Sequence, residues 1–568
     1  MSRIPRILLH RVGPVLLAGG IAGWEASGSR NGILIFPALI ILLTVLWTTD
    51  GRRAAWKGFG LGWLAGIVGF AIQLHWLAVV SPLGAVVLPL YLGLSWGAFG
   101  SFAATLGRPR ILLEEKSHVG ITFANAAVFA FLEWLRSWLF TGFGWNGLGI
   151  AFHDVPLVAQ TADLLGVCGI SLLLVWVCGL VAVDIRRCQL AGGWKARNKG
   201  SYRTGWRNPV AGYLIIGLVP LYGWLRIHQE ESRATTPLRA LLVQNNIPQD
   251  AARYLWDPAE IHMAYEDATL EALEKIKAEG TFPDWVIWPE SALTGRIMRT
   301  DDGNWGTWQE NVDTLRNVRE GGDFTLMFGA VELEATDDGD ALLPKPGGNT
   351  YNSLVAMSPT DELQTFRKHH LVIFGETIPF VESIPFLKKI YQQQAGVEYG
   401  GSFASGTSVE PLAASTAAGT KIGIIPSICF EDTVPRLPRR FLKNGPQVIV
   451  NITNDGWFNE SPAAAQHFAN ARFRAIELRR PMLRAANTGV TASIDTTGRA
   501  TTLTDRKGSH FTRGTLFARV SVPTQPGATL YGLMGDWGII LTGAAGVLLA
   551  IRLRCSKRGS VENRTVTL

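Results

Sequence analysis

The sequence predicts an α-helical polytopic membrane domain of about eight spans joined to an α/β domain. Three observations lead there. First, only 17% of the 568 residues are charged, against about 25% in a typical soluble chain. Second, long apolar runs crowd into residues 1–235 and recur once near 535–551. Third, the intervening 236–525 carries short apolar runs separated by amphipathic stretches, the mark of strands alternating with helices. With 47% hydrophobic residues and five Cys, disorder, a collagen repeat and a disulfide-dense scaffold are excluded.

The apolar runs lie at 12–27, 33–48, 56–79, 82–106, 120–141, 164–184, 210–227 and 535–551. Most approach the ~20 residues that cross a bilayer core. The first follows Arg3, Arg6 and Arg11 and resembles a signal peptide, but a second apolar run follows at once and favours a hairpin of two spans. With the N-terminus inside, the cytoplasmic segments hold twenty-one Lys and Arg, and the short outer loops hold one, Arg30. This bias sets orientation. It divides the chain into 1–235 (seven transmembrane helices), 236–525 (an extracytoplasmic domain) and 526–568 (an eighth span with a basic tail). The net charge of +7 splits accordingly, with 28 basic and 35 acidic residues in 236–551 and 25 and 11 elsewhere. The basic excess is a topology signal, so nucleic acid is not an expected partner. Inside the fifth span, Glu133 and Arg136 share a helix face and are expected to pair, as a packing device or a functional site. Phe140, Phe143 and Trp145 follow as an expected interfacial belt or lipid-facing lip.

In the outer segment, strands are expected at 238–243, 285–288, 325–331, 353–357, 422–428 and 448–452, and helices at 257–279, 304–321 and 463–479. Of the five cysteines, only Cys429 falls in this segment, so it has no partner there for a disulfide. A lone thiol in an oxidising compartment is either buried and inert or used. Cys429 ends an apolar strand, where α/β folds present chemistry. Glu290 ends another, and Lys368 and Glu376 stand eight apart in a third segment. A thiol needs a base, and an acyl-transfer oxyanion needs a cation or donors. Glu, Lys and Cys supply all three. His369 and His370 beside Glu376 do not make a metal site, because adjacent imidazoles rarely converge and no third spaced ligand is evident. No phosphate-cradling glycine loop is present, and no cofactor is expected.

Trp288-Pro289-Glu290-Ser291-Ala292, the run from Lys368 to Glu376, and Cys429-Phe430-Glu431 resemble, in order, the three motifs of the carbon–nitrogen hydrolase (nitrilase) superfamily. With seven spans before the domain and one after, the chain is similar over nearly its full length to the bacterial apolipoprotein N-acyltransferases. The strings 243–249, 349–353, 454–458 and 140–145 add to the likeness. The resemblance implies a nitrilase-like αββα sandwich and a ping-pong acyl transfer in the bacterial inner membrane, with the catalytic domain periplasmic. Glu290 is then the general base, Lys368 the oxyanion stabiliser and Cys429 the nucleophile and thioester carrier. Glu376 and Glu431 support the site by orienting Lys368 or the substrate amine, and Trp256 and Phe430 contact substrate. The implied partners are a phospholipid acyl donor, a diacylglyceryl apolipoprotein acceptor and the lipid bilayer. Phe430 stands where Tyr is common, Gly456 where Ala is usual, Asn459 where Gly is usual and Ile373 where Pro is common. The segment 380–405 is expected to form a lid over a lipid-accessible cavity. The rival readings are a membrane-tethered amidase that uses water on a small amide, and a transporter or scaffold whose outer domain only binds.

Overall fold

The computed structural model describes residues 4–27, 32–110, 118–190, 207–248, 258–339, 341–373, 375–378, 384, 386, 389 and 402–565. The chain forms two compact units, residues 1–229 with 529–568, and residues 230–528.

The first unit is helical. Six of its helices are long and apolar enough to cross a membrane: Ala54–Gln73, Pro82–Ala104, Val119–Arg136, Val167–Leu190, Arg207–Glu231 and Asp536–Cys555. Two further helices match expected spans without meeting that standard. Ile35–Trp47 has 13 residues, about 20 Å at ~1.5 Å per residue. Ile4–Ala26 is long enough, but it carries His10, Arg11, Pro14 and Glu25. Close packing comes from small residues. A Cβ on Gly62 would meet the Trp96 carbonyl oxygen at 2.2 Å, and one on Gly100 would meet that of Gly58 at 2.2 Å. Glycine therefore lets the Ala54–Gln73 and Pro82–Ala104 backbones touch.

Two expectations are corrected in this unit. Glu133 and Arg136 share a face but bond elsewhere. Glu133 accepts from the Leu148 amide (2.9 Å) and the Ser171 hydroxyl (2.6 Å), and Arg136 donates to the Trp145 carbonyl (3.2 Å). The reason is local. The chain folds back after the helix, and its unpaired backbone groups are nearer partners than one turn of helix. Of the expected aromatic belt, only Phe140 projects outward, at 82% exposure, whereas Trp145 is 1% exposed and stacks on Phe143.

The second unit contains two sheets. The first runs Gly514–Pro523, Thr235–Gln244, Trp285–Ile287, Thr325–Asp337, Arg296–Arg299 and Trp305–Gly306, with Thr350–Met357 and Leu363–Arg367 added through Thr325–Asp337. The second runs Ala500–Thr502, Ala492–Ile494, Met482–Ala486, Gln447–Thr453, Lys421–Ile428 and Leu412–Ser415. The centre of each sheet is parallel: Thr235–Gln244, Trp285–Ile287 and Thr325–Asp337 in one, Lys421–Ile428, Gln447–Thr453 and Met482–Ala486 in the other. Parallel strands buried on both faces read as continuous apolar runs, and the 447–453 strand is buried at every position. Helices Pro258–Ala278 and Gln309–Glu320 lay Tyr265, Leu273, Leu315 and Val318 on the first sheet's core. Helix Pro462–Leu478 packs on the 482–486 strand of the second, and the sheets meet between 235–244 and 482–486. The result is the αββα order of layers.

Candidate active site

Each candidate residue leaves a strand end. Glu290 follows Trp285–Ile287, Lys368 follows Leu363–Arg367 and Cys429 follows Lys421–Ile428. The Glu290 turn presses on the neighbouring strand so closely that a Cβ at Gly329 would lie 2.6 Å from the Glu290 Cα. Cys429 has φ +52°, a left-handed conformation that a residue with a Cβ adopts only where its surroundings hold it there.

Lys368 is the centre of the site. Its side chain is 1% exposed, with Nζ 2.9 Å from Glu376 Oε1 and 3.7 Å from Glu290 Oε1. Asn352 Nδ2 donates to both of those oxygens, at 2.8 Å each. Glu376 Oε2 accepts from the Val372 amide at 2.9 Å, which fixes the carboxylate. Burial opposes charge on Lys368, but Glu376 and then Glu290 outweigh it and hold the ammonium well above the usual lysine range. The charged form of Lys368 is therefore the favoured one. Burial raises Glu290 above the ordinary carboxylate range, and the attraction of Lys368 offsets this only in part. A raised carboxylate is a competent proton acceptor near neutrality. Burial, joined by the Glu290 charge, raises the Cys429 thiol well above its ordinary value, with Lys368 pulling the other way. Glu290 adjoins the Cys429 thiol.

Glu431 bonds to the backbone on both sides of the site. Its Oε1 accepts from the His369 and His370 amides at 2.7 and 3.0 Å, and its Oε2 from the Ile428 amide at 2.8 Å. It is fully buried. It clamps the backbone after Lys368 to the backbone before Cys429. Burial raises its carboxyl to about 7, against the pull of Lys368 and the backbone donors. Phe430 stacks on His370, with ring centroids 5.8 Å apart at 16°. Trp256 lies outside the described residues, as does most of 380–405. Within that segment Ile384 and Phe386 are described, and both are exposed. Among the described residues no group of His, Cys, Asp and Glu is arranged to hold a metal ion.

The sequence reading missed Asn352, although it lies in the string 349–353, because an Asn in a strand carries no catalytic signal by itself. It also missed the buried polar cluster behind Cys429. His467 Nε2 lies 2.7 Å from Asp432 Oδ1, and its Nδ1 2.7 Å from Asp455 Oδ1. Arg484 reaches Asp432 and Asp455 at 3.4 and 3.3 Å.

Residues 19–180 match the family described as apolipoprotein N-acyltransferase N-terminal domain, and residues 239–524 match carbon–nitrogen hydrolase. A protein from Geobacter metallireducens named apolipoprotein N-acyltransferase is 30% identical, covering 91% of this chain and 92% of its own. The chain belongs to the apolipoprotein N-acyltransferase family. Two further apolipoprotein N-acyltransferases agree. The one from Brucella melitensis is 32% identical over 87% of this chain and 88% of its own, and the one from Bradyrhizobium diazoefficiens is 30% identical over 92% of both. The apolipoprotein N-acyltransferase match accounts for both halves of the chain: a membrane protein with several apolar helices and a carbon–nitrogen hydrolase domain.

Proposed function

We propose that the chain transfers a fatty acyl group from a membrane phospholipid, through a thioester on Cys429, to the α-amino group of the diacylglyceryl-cysteine that begins an apolipoprotein. In the first half-reaction Glu290 takes the Cys429 proton as sulfur attacks the sn-1 ester carbonyl. Lys368 stabilises the oxyanion. The intermediate collapses to the thioester, and the departing lysophospholipid takes the proton from Glu290. In the second half-reaction the acceptor amine attacks the thioester carbonyl, its proton passes to Glu290, and the Cys429 thiol is regenerated as the amide forms. Two easier steps replace one hard exchange. The positive-inside bias supports a periplasmic face of the bacterial inner membrane for this chemistry. Cys168, Cys178, Cys188 and Cys555 then lie in the membrane or on the cytoplasmic side.

The observation that carries the reading is the buried Lys368 ammonium between the Glu290 and Glu376 carboxylates, beside Cys429, in a chain whose described residues include six membrane-length apolar helices. Mass spectrometry of the purified protein tests it. A fatty-acyl adduct on the Cys429 peptide, absent from Cys429→Ala and discharged by a lipopeptide amine, is expected. An adduct that only water discharges would instead favour an amidase.

A further inference from the structure

Behind the nucleophile lies a cluster that the acyl transfer above does not use. The helix Pro462–Leu478 presents His467 to two turns at once, the one that opens with Cys429 and the one at Asp455–Phe458. Both ring nitrogens lie 2.7 Å from carboxylate oxygens, Nε2 from Asp432 and Nδ1 from Asp455. Ionised carboxylates only accept, so the two Asp contacts favour a proton on each ring nitrogen, and they act against the Arg484 guanidinium, which only donates and stands near Nδ1. Nε2 also lies 3.3 Å from the Cys429 carbonyl oxygen, a second acceptor, which Asn451 Nδ2 approaches at 3.4 Å. Arg484 Nη2 completes the group, 3.3 Å from Asp455 Oδ2 and 3.1 Å from His467 Nδ1. All four side chains are buried. Two cations and two anions therefore balance in a buried space.

We infer that His467 is a positioning residue for the acyl transfer: an imidazolium that holds the Cys429 carbonyl in its left-handed turn and cancels one of two carboxylate charges behind the thiol. The inference rests on Cys429 being the nucleophile. The balance matters because the Asp455 charge opposes thiolate formation at Cys429. Without a cation facing Asp455 and Asp432, the buried negative charge would stand against every proton transfer from Cys429 to Glu290. Other charged groups surround the cluster without upsetting this balance. Arg474 and Glu477 on the same helix pair with each other at 2.8 Å. Glu431 is engaged by backbone amides. Glu290 and Lys368 act on Cys429 itself.

The test is the rate of Cys429 alkylation by iodoacetamide, a neutral probe, at about pH 7.5, below the range in which His467 loses its proton. It is read on the Cys429 peptide of the full-length detergent-purified protein. The rate is expected to fall about tenfold in His467→Gln, which leaves an unbalanced anion. It is expected to rise about tenfold in Asp455→Asn, which leaves an unbalanced cation. The double variant should return close to the wild-type rate, an outcome that mere loss of packing does not produce. Rates that stay put in both single variants, or move the same way, overturn the inference. If His467→Gln does not fold, the upward sign in Asp455→Asn carries the test. The wild-type protein supplies a check without substitution. Among its ten histidines, one ring should still be charged at about pH 7.5 in histidine-labelled NMR and titrate near pH 9; ten rings neutral at about pH 7.5 would overturn it. A Cys429 that never alkylates overturns the acyl-transfer reading and this inference with it. Alkylation at unchanged rates sinks this inference alone.

Discussion

Glu376→Gln isolates the electrostatics of the site, because it removes a charge while keeping the shape of the side chain. At an effective dielectric of about 20, unit charges attract by about 332/(20r) kcal/mol. For Lys368 Nζ that is about 6 kcal/mol towards Glu376 at 2.9 Å and about 4.5 kcal/mol towards Glu290 at 3.7 Å. Glu376 is therefore the principal counter-ion, and Glu290 is left partly free. In Glu376→Gln, Glu290 becomes the principal counter-ion. It also loses the repulsion of a like charge that raises its pKa. Both changes favour the ionised form of Glu290, so its pKa falls. In the proposed reaction thioester formation needs Glu290 ionised, so its rate would fall as pH drops through that pKa. The acid limb of the single-turnover profile should therefore move to lower pH by about 1–2 units. The plateau should drop about 10- to 100-fold, because a weaker base accepts the thiol proton and Lys368 is less firmly aimed. Rapid quench followed by mass spectrometry of the Cys429 peptide measures both. An acid limb that stays in place or moves upward would refute the division of charge described for Lys368.

Further outcomes follow from the same geometry. Lys368→Met should lower thioester formation by about 10²- to 10³-fold while the protein still binds lipid, since the oxyanion loses its cation; near wild-type formation in a folded variant would remove Lys368 from the mechanism. Gly329→Ala should displace the Glu290 turn and cut activity about 100-fold, because its Cβ would meet the Glu290 Cα at 2.6 Å; kinetics at matched protein fold, judged by circular dichroism, decide it. Glu133→Ala leaves the Leu148 amide and Ser171 hydroxyl without their acceptor, and about 1–3 kcal/mol of stability should be lost per orphaned group. Its melting temperature should fall while Cys429 alkylation at low temperature is unchanged. The His467 pKa, raised to about 9 from 6.5 by Asp432 and Asp455 against burial, contributes stability that is complete below about pH 6.5 and lost as pH rises through about 9. Thermal melts from pH 6 to 10 should show that slope, and His467→Gln should flatten it.

Much of the second unit was legible because local pattern and tertiary role agree. The strand expected at 422–428 is observed as Lys421–Ile428, and the one expected at 448–452 as Gln447–Thr453. Helices expected at 257–279 and 463–479 are Pro258–Ala278 and Pro462–Leu478. The strand Met482–Ala486 was not legible. Its central Arg484 is fully buried, and a charge in mid-strand reads as surface until its partners are known. Asp432 and Asp455 lie 52 and 29 residues away in sequence, so no local window contains them. The expected helix at 304–321 began too early, because Trp305–Gly306 pairs with Arg296–Arg299 instead. Short segments yield to whichever partner is nearest.

The sequence alone determined the kind of molecule: apolar runs of membrane length, a single thiol within residues 236–525, and the order Glu290, Lys368, Cys429. These are properties of composition, periodicity and motif, which survive without coordinates. Only the tertiary structure decided what each charge does. Glu376 holds Lys368, Glu431 clamps two backbones, Glu133 serves a returning loop rather than Arg136, and His467 stands with Arg484 against two carboxylates. The physical reason is that a side chain's charge is known from its identity, whereas its effect depends on the distance and burial of its partners, and those are set by strands that meet only after folding.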